Sequence, residues 1–169
     1  MLIQKCAPPG SAATQSLTLS FDQRCRSRLR TTLDDGTPAS VILERGTVLR
    51  DNDRLVSDDG QVIAVHAANE LVSTVHASDP LALVLAAYHL GNRHVPLQIA
   101  NGWVRYQHDH VLDDLVIGIG LEIVVEHAPF EPVGGSYTGA HRYAHAFEHS
   151  HSSEHEHDHE HDHDHGTVR

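Results

Sequence analysis

The apolar positions of this chain recur at two different periods, and the change between them divides it. Leu17-Thr18-Leu19-Ser20-Phe21 alternates and predicts a strand. Arg24-Cys25-Arg26-Ser27-Arg28-Leu29-Arg30-Thr31 alternates again; as a strand it sets four arginines on one face and Cys25, Ser27 and Leu29 on the other. That arginine stripe is either a solvated sheet face or a surface for an acidic partner. Leu2 and Ile3 suggest an edge strand, Val41-Ile42-Leu43 a buried one, and Asp34-Asp35-Gly36 a turn. Asp58-Asp59-Gly60 joins Arg54-Leu55-Val56 to Val62-Ile63-Ala64-Val65-His66 as a hairpin. Closely spaced strands and turns of this kind predict a small all-β domain over residues 1–70.

Beyond it the period shifts. Leu71 to Ala77 reads as a strand, and Ser78-Asp79-Pro80 as a helix start, with a capping oxygen followed by a proline suited to the first turn. Leu81, Val84, Leu85 and Tyr88 recur at helical spacing, and Gly91 marks the stop. Asn101-Gly102 then predicts a type I′ hairpin in which Ala100 faces Trp103, Ile99 faces Val104 and Leu97 faces Tyr106. Continued pairing sets His94 opposite Asp109, with His108 and His110 on the other face, although Pro96 makes this an edge strand or a frayed entry. Asp113 and Asp114 fall in the first turn of a second helix, whose apolar face is Leu112, Leu115, Val116 and Ile119. Adjacent carboxylates on a helix point about 100° apart, so the pair predicts dipole capping rather than a catalytic dyad. Gly118 and Gly120 end that helix, and Leu121 to Glu126 forms a last strand.

The fold class is therefore α+β: an all-β domain, then a βαββαβ unit over residues 71–137 that folds most simply as a ferredoxin-like sandwich. Pro129 to Tyr137 reads as a loop. Residues 138–169 form a His/Asp/Glu-rich tail whose low-complexity tract cannot bury a core, and disorder is the expectation for it without metal.

The formal charge of −11 is concentrated at the end: residues 148–169 hold seven acids and one arginine. An acidic chain with no basic patch on its main body makes a poor partner for nucleic acid or an anionic membrane. Cys6 and Cys25 form no CxxC pair, and neither a signal-peptide pattern nor an apolar run of membrane-spanning length is present, so the expected location is cytoplasmic.

Histidine carries the candidate chemistry. His149, His151, His155, His157, His159, His161, His163 and His165 alternate with acids, and His127, His141 and His145 lead up to them. Neutral imidazole ligates Ni2+, Cu2+ and Zn2+, and neighbouring carboxylates offset the cation's charge. His66, ending an apolar strand, reads instead as structural. No spacing matches a closed zinc site or HExxH. His108-x-His110 is a usable ligand pair, and His94 gains interest in a dimer, where a two-fold axis doubles it. No nucleophile and base stand at useful spacing, so the chain is not expected to be an enzyme; a hydrolase built on His108, His110 and Asp109 would need a third ligand and an open water position.

Arg45-Gly-Thr-Val-Leu, Asp58-Asp59-Gly60, His89-Leu-Gly-Asn-Arg-His94-Val-Pro-Leu-Gln-Ile, Arg105-Tyr-Gln-His108-Asp109-His110-Val-Leu-Asp113-Asp114 and Ala128-Pro-Phe-Glu-Pro-Val-Gly-Gly-Ser-Tyr137 closely resemble the UreE family of urease accessory metallochaperones. The resemblance implies a partner-binding β domain and a ferredoxin-like metal-binding domain that forms a homodimer. It also implies cytoplasmic nickel delivery to the urease apoprotein, in concert with other urease accessory proteins including a GTPase. It makes His94 a nickel ligand at the dimer interface, His108 and His110 peripheral ligands, and the tail histidines further ones, with His141 or His145 completing the interface site. The competing reading is a metal buffer or storage protein that works mainly through its tail.

Overall fold

The structure, a computed structural model, describes residues 1–134. Its first part is a six-stranded sheet built from β1 (Leu2–Cys6), β2 (Gln15–Leu19), β3 (Arg28–Thr32), β4 (Pro38–Ile42), β5 (Arg54–Ser57) and β6 (Val62–Ala67), in the order β2-β6-β5-β1-β4-β3. The predicted β5–β6 hairpin forms, pairing Val56 with Val62 and Leu55 with Ile63, and Gly60 turns at φ +82°. Ile3, Leu17, Leu19, Val41, Leu55, Ile63 and Val65 form its core.

Two expectations fail here. β1 is no edge strand: it lies between β4, with which it runs parallel, and β5. Parallel pairing joins segments far apart in sequence, so no local pattern announces it. The arginine stripe is also broken. Ser20 starts a one-turn helix, α1 (Phe21–Arg24), through a reciprocal capping box with Gln23, and the strand begins only at Arg28. Arg28 and Arg30 remain exposed, whereas Arg24 is turned inward and fully buried.

The second sheet comprises β7 (Asn69–His76), β8 (Gln98–Ala100), β9 (Trp103–Gln107) and β10 (Ile123–Pro129), in the order β10-β7-β9-β8 with every pair antiparallel. Two helices, α2 (Pro80–Gly91) and α3 (His110–Gly118), follow β7 and β9. Val75, Val104 and Tyr106 of the sheet pack with Ala86, Leu90 and Val116 of the helices. Asp79 caps α2, accepting from the Leu81 amide, with Pro80 in the first turn as expected.

The face that α2 buries is not the one the pattern singled out. Leu81, Val84, Leu85 and Tyr88 are 62, 61, 47 and 62% exposed, while Ala86 and Leu90 are buried with Leu83 and Ala87 beside them. Both sets obey the spacing i, i+3, i+4, i+7. They are offset by two residues, about 200° around the helix. A helix apolar at both stripes offers two equivalent faces, and the sheet takes the one with small alanines.

Phe130 to Val133, which composition marks as a loop, is a strap between the sheets. The Arg24 guanidinium donates to the carbonyls of Leu19, Leu49 and Phe130 and to the Glu131 carboxylate. Arg50 donates to the Pro132 carbonyl at 2.6 Å, and Phe21 meets Phe130 edge to face. On the other side, the Glu131 amide donates to the Gln98 side chain and the Val133 amide to the Leu97 carbonyl. The fork of Arg24 thus gathers carbonyls from three segments, of which that of Leu19 also accepts from the Ala68 amide, a task the single ammonium of a lysine could not match.

Candidate metal-binding site

The β8–β9 hairpin keeps the predicted register from Ala100–Trp103 to Gln98–Arg105 and pairs no further. Asn101 is not at positive φ, and Gly102 alone turns, at +83°, so the turn is not the type I′ expected. Because β8 begins at Gln98, the continued pairing of Leu97 with Tyr106 and of His94 with Asp109 does not form.

His94 instead belongs to the end of α2. The Val95 amide bonds the Leu90 carbonyl and the His94 amide the Gly91 carbonyl, the bond pattern of a Schellman stop, with Val95 and Leu90 in the same apolar cluster. His94 occupies the left-handed position of that stop, at φ +58°, where glycine is usual. It is exposed on the wall of a cleft of about 470 Å³, lined also by Phe21, Arg50, Pro96, Ile99 and Val133.

His108 lies just past β9, its amide bonded to the Leu71 carbonyl. Its Nδ1 is 3.0 Å from Asp113 Oδ2 and 3.1 Å from Ser73 Oγ, and Tyr106 donates its hydroxyl to Asp113 Oδ1 at 2.7 Å. Burial, and then the adjoining Asp113 carboxylate, push the Tyr106 phenol above its usual range, which keeps it a donor. Asp109 is the cap of α3, accepting from the amides of Val111 and Leu112, and His110 is the first, exposed residue of that helix.

Asp113 lies in the first turn of α3 as expected and does more there than face the dipole. It is buried on the α3 face that carries Val116 and is bonded by Tyr106 and His108. The sequence pattern does not mark Ser73, Tyr106 or Asp113 as site residues. A tyrosine on the inward face of a strand needs a partner for its hydroxyl, and that need is the signal that points to Asp113. Among the described residues no three histidine, cysteine or acidic side chains converge closely enough to hold a metal ion, so His94, His108 and His110 do not make a three-ligand site within one chain. His141, His145, His149, His151, His155, His157, His159, His161, His163 and His165 lie outside the described residues.

Family comparison agrees with this division into two sheets. The family model for the UreE urease accessory protein N-terminal domain matches residues 3–68, and that for its C-terminal domain matches residues 70–165. The chain belongs to the UreE urease accessory protein family. Among UreE proteins it is 58% identical over 132 residues to the urease accessory protein UreE of Alkalilimnicola ehrlichii, covering 78% of this chain and 81% of that one. It is 53% identical over 142 residues to the UreE of Pseudomonas putida, covering 83% and 86%. It is 51% identical over 125 residues to the UreE of Proteus mirabilis, covering 74% and 78%. The C-terminal UreE match takes in His94, the His108–Asp113 pair, His110 and the strap. No helix among the described residues is long and apolar enough to cross a membrane.

Proposed function

We propose that this UreE family member is a nickel metallochaperone: it takes up Ni2+ through histidines and delivers it to the urease apoprotein, acting with other urease accessory proteins, among them a GTPase, in the cytoplasm. The role is accessory and not catalytic. The β10-β7-β9-β8 order, with two helices packed into one apolar cluster, supports a ferredoxin-like unit as its metal-binding domain, residues 71–137. Residues 1–70 supply partner contacts and residues 138–169 a collecting tail.

The observation that carries this reading is the setting of His94 in a UreE chain. An exposed imidazole is held in a left-handed stop just after a helix whose outer apolar stripe no other described residue covers. A homodimer that covers the Leu81–Tyr88 stripe with its two-fold axis beside the C-terminal end of α2 would bring two copies of His94 toward each other. Two imidazoles from two chains make an open, exchangeable site, completed by His141 or His145, with His108 and His110 as peripheral ligands. Imidazole donors suit Ni2+, and they also take Zn2+ and Cu2+; supply and partners then set which metal is carried.

Native mass spectrometry with Ni2+ tests this on the full chain and on a chain ending at Ser136, each with and without His94→Ala. One nickel per dimer in the shorter chain, absent from the variant, is the expected result, with additional nickel on the full chain in both forms. Nickel bound only when the tail is present, and indifferent to His94, would instead make the protein a metal buffer.

A further inference from the structure

We propose that Asp113 is a positioning residue that fixes His108 with its proton on Nδ1, so that Nε2 is the atom presented to a metal ion. This rests on the reading of His108 as a metal ligand. The geometry leaves little choice of proton arrangement. Asp113 is 7% exposed, and its two oxygens face different partners: Oδ1 accepts from Tyr106 at 2.7 Å and Oδ2 lies 3.0 Å from His108 Nδ1. A carboxylate has no proton to give, so the contact with His108 requires Nδ1–H as donor. Tyr106, fully buried, has one hydroxyl proton and spends it on Oδ1, which pins the carboxylate. Ser73, also fully buried, adds a hydroxyl 3.1 Å from the same nitrogen and closes the ring's inner side. Both inner contacts are to Nδ1, and the His108 side chain keeps 30% of its surface exposed. Nε2 is left with a lone pair and no hydrogen-bond partner among the described residues. A carboxylate behind a ligating imidazole fixes its tautomer and raises its basicity, and loss of such a partner typically lowers metal affinity roughly 10- to 100-fold.

Asparagine in place of this aspartate inverts the arrangement without changing its shape. With Tyr106 donating to the amide oxygen, the amide nitrogen of the new side chain would turn toward His108 and donate to Nδ1, which moves the imidazole proton to Nε2 and removes the lone pair.

The test is 15N NMR of the full chain labelled at histidine, at about pH 8, where ordinary imidazole is neutral. It is recorded metal-free and then titrated with Zn2+, a diamagnetic probe. The expected result is an Nδ1–H, bare-Nε2 His108 whose Nε2 resonance moves on Zn2+ addition. In Asp113→Asn the proton pattern reverses and half-saturation at His108 needs about 10- to 100-fold more Zn2+. An Nε2–H ring in the parent chain, or an unchanged tautomer in a folded Asp113→Asn, overturns the proposal and leaves the metal reading intact. A correct tautomer whose resonances ignore Zn2+ removes His108 from the metal ligands, and the proposal falls with that reading. Should Asp113→Asn not fold, the parent tautomer decides alone.

Discussion

The backbone at His94 stores a small strain that a stop built around glycine would avoid. An L-residue in the left-handed region costs roughly 1–2 kcal/mol because its Cβ crowds the following carbonyl, and glycine pays none of this. Glycine gives back about 0.4–1 kcal/mol by loosening the unfolded chain. Metal-free His94→Gly is therefore expected to exceed His94→Ala in stability by about 0.5–1 kcal/mol, read from urea unfolding, although both have lost the imidazole. Equal midpoints, or alanine above glycine, would show that the position is unstrained. The Gly-Asn-Arg-His sequence invites the opposite assignment, with Gly91 as the left-handed residue. Gly91 instead closes α2, and the left-handed turn comes three residues later, at His94. Asp113 misleads in a related way. Its place in a first helical turn suggests a cap, while its burial comes from Tyr106 and His108, contacts that exist only once β9 and α3 have folded together.

Elements whose determinants are local were legible: the β5–β6 hairpin, the Asp79-Pro80 helix start and the register beside Asn101-Gly102. Those fixed by distant partners were not. The middle position of β1 is one, and the tie between the two ends of the first sheet is another. β2 and β3 are its edges, yet Asp34, just past β3, accepts from Ser16 Oγ at 2.6 Å and from the Thr18 amide and hydroxyl at 3.0 Å each, while its own amide donates to the Ser16 carbonyl. Edge is thereby joined to edge, which removes two strands from the surface open to foreign pairing. Burial alone would raise the Asp34 pKa, but the hydrogen bonds from Ser16 and Thr18 outweigh it and hold the carboxyl below its ordinary value. A depressed carboxylate stabilises the fold fully above the unfolded pKa, near 3.9, and this contribution disappears as pH falls through the lower folded value. Asp34→Asn should accordingly lower the melting temperature at pH 6 to 7, with the gap to the parent closing as pH drops below about 4. A gap that is constant with pH would mean the carboxylate charge plays no part.

At the scale of the whole molecule, the outer stripe of α2 is the feature that no contact among the described residues explains. A helical pattern shows that a face is apolar and is silent about what covers it; here two faces compete and one sheet can cover only one. If the second is covered by another copy, a charge there should separate the copies without unfolding either. Val84, 61% exposed, is the site to use. Glutamate is a better helix former than β-branched valine, and an exposed substitution of this kind usually changes monomer stability by no more than about 0.5 kcal/mol. In a two-fold assembly, however, Val84→Glu brings two new carboxylates to one interface, between bodies that already carry a net charge of −5 each over residues 1–147. Sedimentation of metal-free protein should find the parent dimeric and the variant monomeric, with unchanged circular dichroism. On the chain ending at Ser136, the nickel that depends on His94 should vanish in Val84→Glu although His94 itself is untouched, because a single imidazole per monomer cannot reproduce a shared site. A dimer that survives the charge, or nickel that stays bound to the monomer, would uncouple α2 from the metal and leave the strained histidine without its partner.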